Sequence, residues 1–314
     1  MLLYFFKRTG LAIVIVMVAM TLLYGMIHAV PGDPANVILG PRATPEMKVE
    51  LHRRMGLDKP VLVQLWTFFS NAAMGDMGVD VFSNQPVSKL VFEQLPQTLV
   101  LVFAGIAWAI VLGIPMGCFS AIRRNSFLDK FTGFVSVGTI AIPSFVVALY
   151  ALLLFAVTLQ WLPAIGIGDP GDWWDQFLHL ILPAFSVGLG WVGYIARMVR
   201  ASMLEVMGEH HIRTVKAFGL PERMITYRYA LRLAILPTIT ILGVGIGRML
   251  SNAVFAEIVF ARPGIGKLIY DAVVSRNYPV VMGSVLVSTV FFVAVTTMSD
   301  VVAAFLDPRI RKNL

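Results

Sequence analysis

The chain has 314 residues, of which 58% are hydrophobic and only 14% are charged, and its mean hydropathy is +0.79. Soluble globular domains carry about 25% charged residues, so this composition excludes an ordinary soluble domain and predicts a protein of the lipid bilayer. The formal net charge of +7 does not by itself indicate a nucleic-acid partner, because membrane proteins concentrate Lys and Arg in cytoplasmic loops.

Six apolar segments are each long enough to cross the hydrocarbon core as a helix, which takes about 20 residues at a rise of about 1.5 Å. They cover residues 9–30, 97–122, 131–168, 176–196, 233–256 and 277–299. The third has room for a tilted helix followed by a loop at the depth of the lipid. The sequence therefore predicts an all-α membrane protein with six transmembrane helices and both termini on one side.

The first span shares some features with a secretory signal. It follows Lys7 and Arg8 and ends near the weak cleavage motif Ile27-His28-Ala29. The core of a signal has about 7–15 apolar residues, and this run is longer. We therefore expect the segment to remain as a membrane anchor.

The loop at residues 31–96 is expected to contain short helices. Thr44 is placed to cap a helix that starts at Pro45, and Gly56 is placed to end that helix. The apolar segment at residues 61–69 is too short to span the membrane. Both helices are expected at the outer surface.

Basic residues concentrate before span 1, between spans 2 and 3, between spans 4 and 5, and after span 6. These residues are Lys7, Arg8, Arg123, Arg124, Lys130, Arg197, Arg200, Arg213, Lys216, Arg223, Arg228, Arg232, Arg309, Arg311 and Lys312. Six spans place all four regions on the same side, which the positive-inside rule identifies as the cytoplasm. The N and C termini are then cytoplasmic, and the loop at residues 31–96 is external.

Two features inside the spans are interpreted as helix packing. Gly188, Gly190 and Gly193 match the dinucleotide-binding pattern GxGxxG, but they lie within span 4 and lack the preceding strand that this pattern needs. Small residues at such spacing let membrane helices approach closely. Cys118, the one cysteine, lies in span 2 and is interpreted as a small hydrophobic residue; a single cysteine excludes an intramolecular disulfide.

The sequence carries none of the common catalytic or ATP-binding motifs, namely GxxxxGK[ST], GxSxG and HExxH. His210 and His211 are adjacent, so they point in different directions on a helix, and no third ligand has suitable spacing. We therefore expect that this chain is not an enzyme and binds neither a metal nor a cofactor of its own.

Residues 203–236, between spans 4 and 5, are too polar to span the membrane and contain helix-compatible residues ended by a turn at Gly219. The apolar residues of this segment are Ile212, Val215, Ala217 and Phe218. A short amphipathic helix between two spans suits docking into a groove on another protein. A helix that lies on anionic lipid is the alternative interpretation.

Short motifs occur along nearly the whole chain. They are Val30-Pro31-Gly32-Asp33-Pro34, Gln94-Leu95-Pro96-Gln97-Thr98-Leu99, Gly113-Ile114-Pro115-Met116-Gly117, Ile142-Pro143-Ser144-Phe145, Arg200-Ala201-Ser202-Met203-Leu204-Glu205, Arg213-Thr214-Val215-Lys216-Ala217-Phe218-Gly219-Leu220, Glu257-Ile258-Val259-Phe260, Pro263-Gly264-Ile265-Gly266 and Leu306-Asp307-Pro308-Arg309-Ile310-Arg311. In this order the motifs resemble the inner-membrane permease subunits of binding-protein-dependent ABC importers, in the dipeptide, oligopeptide and nickel branch.

The resemblance implies a single permease domain over residues 1–314, with the type I importer fold, in the bacterial inner membrane. The implied partners are a second homologous permease, two ATPase subunits that bind ATP and Mg²⁺, an external solute-binding protein and membrane lipid, without nucleic acid. Residues 203–236 resemble the coupling loop of the family. The residues that this resemblance assigns to the ATPase contact are Glu205, Glu209, Arg213, Thr214, Lys216, Ala217, Gly219 and Leu220.

Arg248 is the one charged residue of span 5 and is predicted to face the translocation pathway. A guanidinium near mid-membrane costs about 2.5–3.5 kcal/mol on insertion scales, so it usually requires water, a partner charge or a pathway. Asn252 lies one turn later on the same helix face, and Pro143 and Ser144 of span 3 are assigned to the same pathway. Two interpretations stay open: contact with an anionic group of the cargo, or an ion pair with Asp300 or the partner permease.

The function expected from this resemblance is the movement of peptides or related small solutes by ATP-driven alternating access. The sequence leaves the cargo open among a dipeptide, an oligopeptide, glutathione, a nickel chelate and an opine. An ion-coupled secondary transporter is the alternative from another class. It requires buried acids, for which Glu257 and Asp300 are the candidates.

Overall fold

The computed structural model describes residues 2–40 and 43–306, and within them the chain is built from helices, with one isolated antiparallel bridge between Val79 and Pro86. The α-helices in chain order are α1 (Leu2–Ala29), α2 (Pro34–Leu39), α3 (Pro45–Arg54), α4 (Val61–Ala73), α5 (Val87–Ile122), α6 (Phe127–Ala141), α7 (Ser144–Ala151), α8 (Trp173–Met207), α9 (His210–Ala217), α10 (Glu222–Met224), α11 (Leu231–Ala234), α12 (Leu236–Val259), α13 (Ile265–Val274) and α14 (Tyr278–Leu306). Two π-helical segments occupy Leu152–Thr158 and Ile225–Ala230.

The chain forms two compact units. Unit 1 consists of the described parts of Met1–Thr98 and Pro263–Val293, and unit 2 consists of those of Leu99–Arg262 and Ala294–Leu314. The terminal motif around Pro308 and its basic residues lie outside the described residues.

The six predicted spans have counterparts in the described residues. Four helices are individually long and apolar enough to cross a membrane: Arg8–Ala29, Val87–Ile122, Trp173–Met207 and Tyr278–Ser299. Two further spans arise when each of two bent helix pairs is counted as one: Phe127–Ala141 with Ser144–Thr158, and Glu222–Gly243 with Gly245–Val259. By length and composition, the prediction of six is thus confirmed.

The third span is not the single tilted helix that the sequence predicted. Its halves, α6 and the helix that begins at Ser144, are bent by 99°. Ile142 has an extended backbone, with ψ of 123°, because the ring of a following proline excludes the preceding residue from the helical region. Pro143 thus ends one helix and allows a new one to start in another direction.

The second span starts earlier than predicted, at Val87 rather than at residue 97. Val87 and Val91 lie one turn apart on α5, and both are fully buried in a cluster of unit 1 that includes Val280. Further along α5, the Thr98 hydroxyl oxygen accepts a hydrogen bond of 2.8 Å from the Ile265 backbone N–H at the start of α13. Packing within unit 1 therefore extends the helix into the predicted external loop.

The loop helices of unit 1 form where local signals place them. The Thr44 hydroxyl oxygen accepts a bond of 3.3 Å from the Met47 N–H at the start of α3, and α4 confirms the short apolar helix. Asp33 caps α2 by accepting from the Ala35 N–H at 2.8 Å. Its carboxylate also lies 2.7 Å from His52 Nε2 of α3, which fixes the two helices to each other.

Close packing of unit 2 depends on the glycines of α8. Gly188 lies against the indole of Trp108 and the Gly105 carbonyl, and Gly193 lies against Ser136 and Thr139, so that a Cβ at either glycine would collide with these neighbours. The Trp108 indole N–H donates to the Ala184 carbonyl at 2.8 Å. The packing interpretation of the GxGxxG pattern is confirmed. Cys118 is likewise buried in an apolar cluster of unit 2.

Candidate functional site

A cavity of about 440 Å³ in unit 2, called here the unit 2 cavity, brings together the four residues predicted for the pathway: Pro143, Ser144, Arg248 and Asn252. Its remaining lining residues are Ile140, Ile142, Val147, Ser186, Val187, Gly190, Trp191, Tyr194 and Ile241. Helices α6, α7, α8 and α12 each contribute to the wall. Cavities of about 300–1,000 Å³ are typical of small-ligand sites.

Local structure explains how the four residues meet. The break at Pro143 places the first turn of α7, with Ser144, at the cavity rather than continuing α6. Arg248 and Asn252 are four residues apart on α12 and therefore lie on one helix face. This agrees with the placement of the two residues on one helix face that the sequence predicted.

Arg248 is the one charged residue among those that line the unit 2 cavity. Its side chain is exposed, and no hydrogen bond or ion pair joins it to another residue within the described part of the chain. The side chain of Asp300, its predicted alternative partner, lies outside the described residues. Glu257, in contrast, is fully buried on α12, where its charge acts on the buried Arg262.

Trp191 and Tyr194 line the cavity and were missed by the sequence interpretation. Their rings meet edge to face, with centroids 5.5 Å apart and an interplanar angle of 66°. The Trp191 ring lies so close to Gly245 of α12 that a Cβ there would come within 2.6 Å of it. The spacing of three to four residues places Val187, Gly190, Trp191 and Tyr194 on one helix face. This spacing is the sequence signal that could have predicted their common position.

Unit 1 contains a larger cavity of about 710 Å³, called here the unit 1 cavity. Its charged lining residues are two bases, Arg53 and Lys59, and two acids, Asp76 and Asp80, besides His28. Asp80 accepts from the backbone N–H groups of Phe82 and Ser83 at 3.3 and 2.9 Å, from the Ser83 hydroxyl, and from the side-chain amide of Asn277. Burial opposes ionisation of Asp80, but these hydrogen bonds outweigh burial and lower its pKa.

The segment at residues 203–236 contains the predicted amphipathic helix, α9. Ile212 is fully buried and Val215 partly buried in a cluster with Met203 and Ile225, whereas Ala217 and Phe218 are exposed. Ile212 and Val215 therefore pack the helix against the rest of unit 2, whereas Ala217 and Phe218 lie on the exposed side.

Seven of the eight residues assigned to the ATPase contact are exposed: Glu205, Glu209, Arg213, Thr214, Lys216, Ala217 and Gly219. The eighth, Leu220, is partly buried and packs with the apolar cluster. Gly219 has a φ of +73°, a backbone conformation that favours glycine, and its N–H donates to the Lys216 carbonyl at 2.9 Å. The turn ends α9 and leaves its outer face available to a partner.

An ion pair between buried Asp129 and partly exposed Arg200 joins the first turn of α6 to α8. Asp129 is 5% exposed and accepts from Arg200 Nε at 2.6 Å and from Arg200 Nη2 at 2.8 Å. The Ser120 hydroxyl and the Asn125 N–H donate to the same carboxylate at 2.5 and 2.9 Å. Arg200 lies near the end of α8, shortly before α9 begins. The pair therefore fixes the segment of α8 from which α9 continues.

No group of three or more His, Cys, Asp or Glu side chains within residues 2–40 and 43–306 is placed to hold a metal ion. His210 and His211 occupy the first turn of α9, where His211 Nδ1 lies 3.0 Å from the Glu209 carboxylate.

Comparison with known proteins gives a family for the whole chain. Residues 113–312 match the family described as the inner membrane component of binding-protein-dependent transport systems, and residues 1–102 match the family described as the N-terminal part of the membrane component of such systems. The chain is 34% identical to the dipeptide transport system permease protein DppB of Alkalihalophilus pseudofirmus, over 97% of this chain and 98% of that protein. It is 32% identical to the glutathione transport system permease protein GsiC of Shigella flexneri and of Escherichia coli K12, over 99% of each chain.

A solved structure of the inward-facing MetNI methionine ABC transporter shares the fold. The TM-score is 0.58 at 16% sequence identity, over 69% of this chain and 96% of the matched chain. The all-α fold is therefore that of a type I importer permease. Together with the full-length relatives, these matches show that the chain belongs to the inner membrane component family of binding-protein-dependent transport systems, as a permease subunit of an ABC importer rather than an enzyme.

Proposed function

We propose that this chain is the permease of an importer that moves peptides across the bacterial inner membrane by ATP-driven alternating access. The observation that carries the proposal is the unit 2 cavity, which has the size of a small-ligand site and is walled by helices of three membrane spans. The relatives support a peptide as the cargo, since one is a dipeptide permease and another is a permease for glutathione, itself a small peptide.

The complete transporter would contain this chain, a second homologous permease, two ATPase subunits that bind ATP and Mg²⁺, and an external solute-binding protein. The exposed face of α9 is the surface for one ATPase, with Lys216, Ala217 and Gly219 at its centre. Movement of the ATPase pair would displace α9, and the Asp129–Arg200 pair and the packing of Ile212 would pass this displacement to the spans.

The ion-coupled secondary transporter has less support. Such a transporter requires ionisable acids that line a pathway. Glu257 is fully buried, interacts with Arg262, and does not line the unit 2 cavity. Membership in the importer family also provides an energy source on partner subunits.

The experiment is uptake by the complex reconstituted in proteoliposomes with its ATPase subunits and solute-binding protein. In vesicles whose ATPase subunits face the lumen, labelled dialanine or glutathione should accumulate in the lumen when ATP and Mg²⁺ are enclosed there. A non-hydrolysable ATP analogue should abolish this accumulation. Accumulation driven by a proton or sodium gradient without ATP would contradict the proposal.

The proposed orientation has its own test. With Cys118→Ala as the background, Arg213→Cys and Arg123→Cys should be protected from a membrane-impermeant thiol reagent in intact cells, whereas Asp58→Cys and Asp172→Cys should react. Reaction of Arg213→Cys from outside would show that the termini are external.

A further inference from the structure

Arg248 places a positive charge in the unit 2 cavity. Within the described part of the chain, no residue pairs with this charge. The residues that line the cavity include no Asp, Glu, Lys or His, so nothing in the lining neutralises the guanidinium. An arginine at the depth of a membrane span is unfavourable unless something receives its charge. The cavity itself is therefore where a counter-charge is expected.

The neutral lining residues suit an anion. The Asn252 amide, the Ser144 hydroxyl and the Tyr194 hydroxyl can each donate a hydrogen bond, and all three residues line the cavity together with Arg248. The Ser186 hydroxyl is not available in the same way, because it donates to the Pro183 carbonyl at 2.7 Å. A guanidinium that shares a cavity with neutral donors suits a carboxylate, because charge-assisted hydrogen bonds are about twice as strong as neutral ones.

Free metal cations fit the cavity poorly. A divalent cation would be repelled by Arg248, and the lining offers neither a carboxylate, an imidazole nor a thiolate as a ligand. A cargo without negative charge would leave the guanidinium unpaired during passage. The lining therefore suits an anion better than a cation.

We propose that the unit 2 cavity is an anion-selective station, in which Arg248 binds a carboxylate of the passing peptide. The permease then selects cargo by charge in addition to any selection by the solute-binding protein. This inference rests on the proposed function for the peptide, but the positive potential of the cavity is independent of the cargo. The carboxylate can come from the peptide C-terminus or from an acidic side chain.

The first experiment measures the potential of the cavity without cargo. A Ser144→Cys reporter in the Cys118→Ala background is reacted, in the assembled complex in detergent, with an anionic sulfonatoethyl and a cationic trimethylammonioethyl methanethiosulfonate. Arg248→Gln should lower the anionic-to-cationic rate ratio about tenfold, because one positive charge near the reporter is lost. The matched control, Arg232→Gln, removes an exposed arginine outside the cavity and should leave the ratio unchanged. An unchanged ratio in Arg248→Gln would overturn the inference.

The second experiment measures uptake of three peptides: dialanine, dialanine amide, and the amide of Glu-Ala, which carries only a side-chain carboxylate. Binding of each peptide to the solute-binding protein is measured in parallel, so that selection at that step is divided out. Arg248→Gln should lower uptake of dialanine about 10- to 100-fold, because a bond to a charged group is lost, and should leave dialanine amide unchanged. Arg248→Lys should restore part of the loss.

The Glu-Ala amide separates the two sources of the carboxylate. A loss for this peptide equal to that for dialanine shows that a side-chain carboxylate is accepted, and no loss restricts the site to the C-terminus. An equal fall for dialanine and its amide would assign Arg248 a structural role and overturn the inference. If the wild-type complex moves no peptide while the reagent ratio still responds to Arg248→Gln, the proposed function fails and the anion site stands.

Discussion

The unit 1 cavity balances two acids with two bases, whereas the unit 2 cavity presents one guanidinium and no acid. In unit 1, Asp80 is held by hydrogen bonds from Ser83, Phe82 and Asn277. In unit 2, Arg248 has no such bonds within the described residues. A charge whose partners belong to the fold stabilises that fold, and a charge left facing a cavity is available to a ligand. The first kind should affect stability when removed, and the second should affect selectivity.

The largest effect is expected where a new charge is introduced without a partner at a contact. Ala217→Asp on the exposed face of α9 would bury a carboxylate against the ATPase, which costs several kcal/mol. Uptake and substrate-stimulated ATP hydrolysis should both be abolished while the permease still folds and inserts. Ala73→Asp, at an exposed position of α4 in unit 1, is the control and should behave as wild type. Normal activity of Ala217→Asp would exclude this face from the interface.

The next effect is expected where an ion pair of the fold is broken. Asp129→Asn removes the charge that partly exposed Arg200 binds in a bidentate manner, and each hydrogen bond to a charged group contributes about 1.5–3 kcal/mol. The thermal unfolding midpoint of the purified complex should fall, and the preference between dialanine and its amide should stay as in wild type. Lys130→Ala, the exposed neighbour, serves as the control. An unchanged midpoint would show that the pair contributes nothing to stability.

Asp80 of the unit 1 cavity should contribute to the stability of the fold, with a smaller effect than Asp129. Asp80→Asn loses hydrogen bonds to a charged acceptor, which are worth about 1.5–3 kcal/mol. Because the folded protein lowers the pKa of Asp80, its contribution to stability is fully present above the ordinary carboxyl pKa of about 3.9 and is lost as the pH falls below it.

The measurement for Asp80 is the difference in unfolding midpoint between wild type and Asp80→Asn as a function of pH. The difference should be constant near neutral pH and shrink under acid conditions. A difference that grows with acid would have the wrong sign for a lowered pKa. A change in peptide preference would contradict the distinction between the two cavities.

The smallest effect is expected at the neutral neighbour of Arg248. Asn252→Ala removes one neutral donor from the unit 2 cavity, and neutral hydrogen bonds contribute about 0.5–1.5 kcal/mol. Uptake of dialanine should fall about threefold, with stability unchanged, when initial rates are compared at equal amounts of complex. A fall as large as that of Arg248→Gln would shift the main role in cargo binding to the amide.

Most of the fold was predictable because its determinants are local. Span composition, the Thr44 cap and the glycine spacing of α8 act within a few residues, and each is found where the sequence placed it. The early start of α5 was not predictable, since it depends on burial of Val87 against residues far along the chain. The bend at Pro143 was signalled by the proline, but its angle is set by packing on α8.

The candidate site shows the same limit. Arg248 and Asn252 were found because a charge in an apolar span is conspicuous and both lie on one helix. Trp191 and Tyr194 were missed because aromatic residues in a span are most often packing residues. The Asp129–Arg200 pair joins residues 71 positions apart, so no local pattern predicts it.

Arg248 is proposed to bind the carboxylate of a peptide that passes through the unit 2 cavity. The decisive measurement is ATP-driven uptake of dialanine and dialanine amide by the same reconstituted complex, with and without Arg248→Gln. The substitution should lower uptake of dialanine about 10- to 100-fold and leave uptake of the amide unchanged, so that the preference for the free carboxylate disappears. If the preference survives the substitution undiminished, Arg248 does not bind the carboxylate of the cargo.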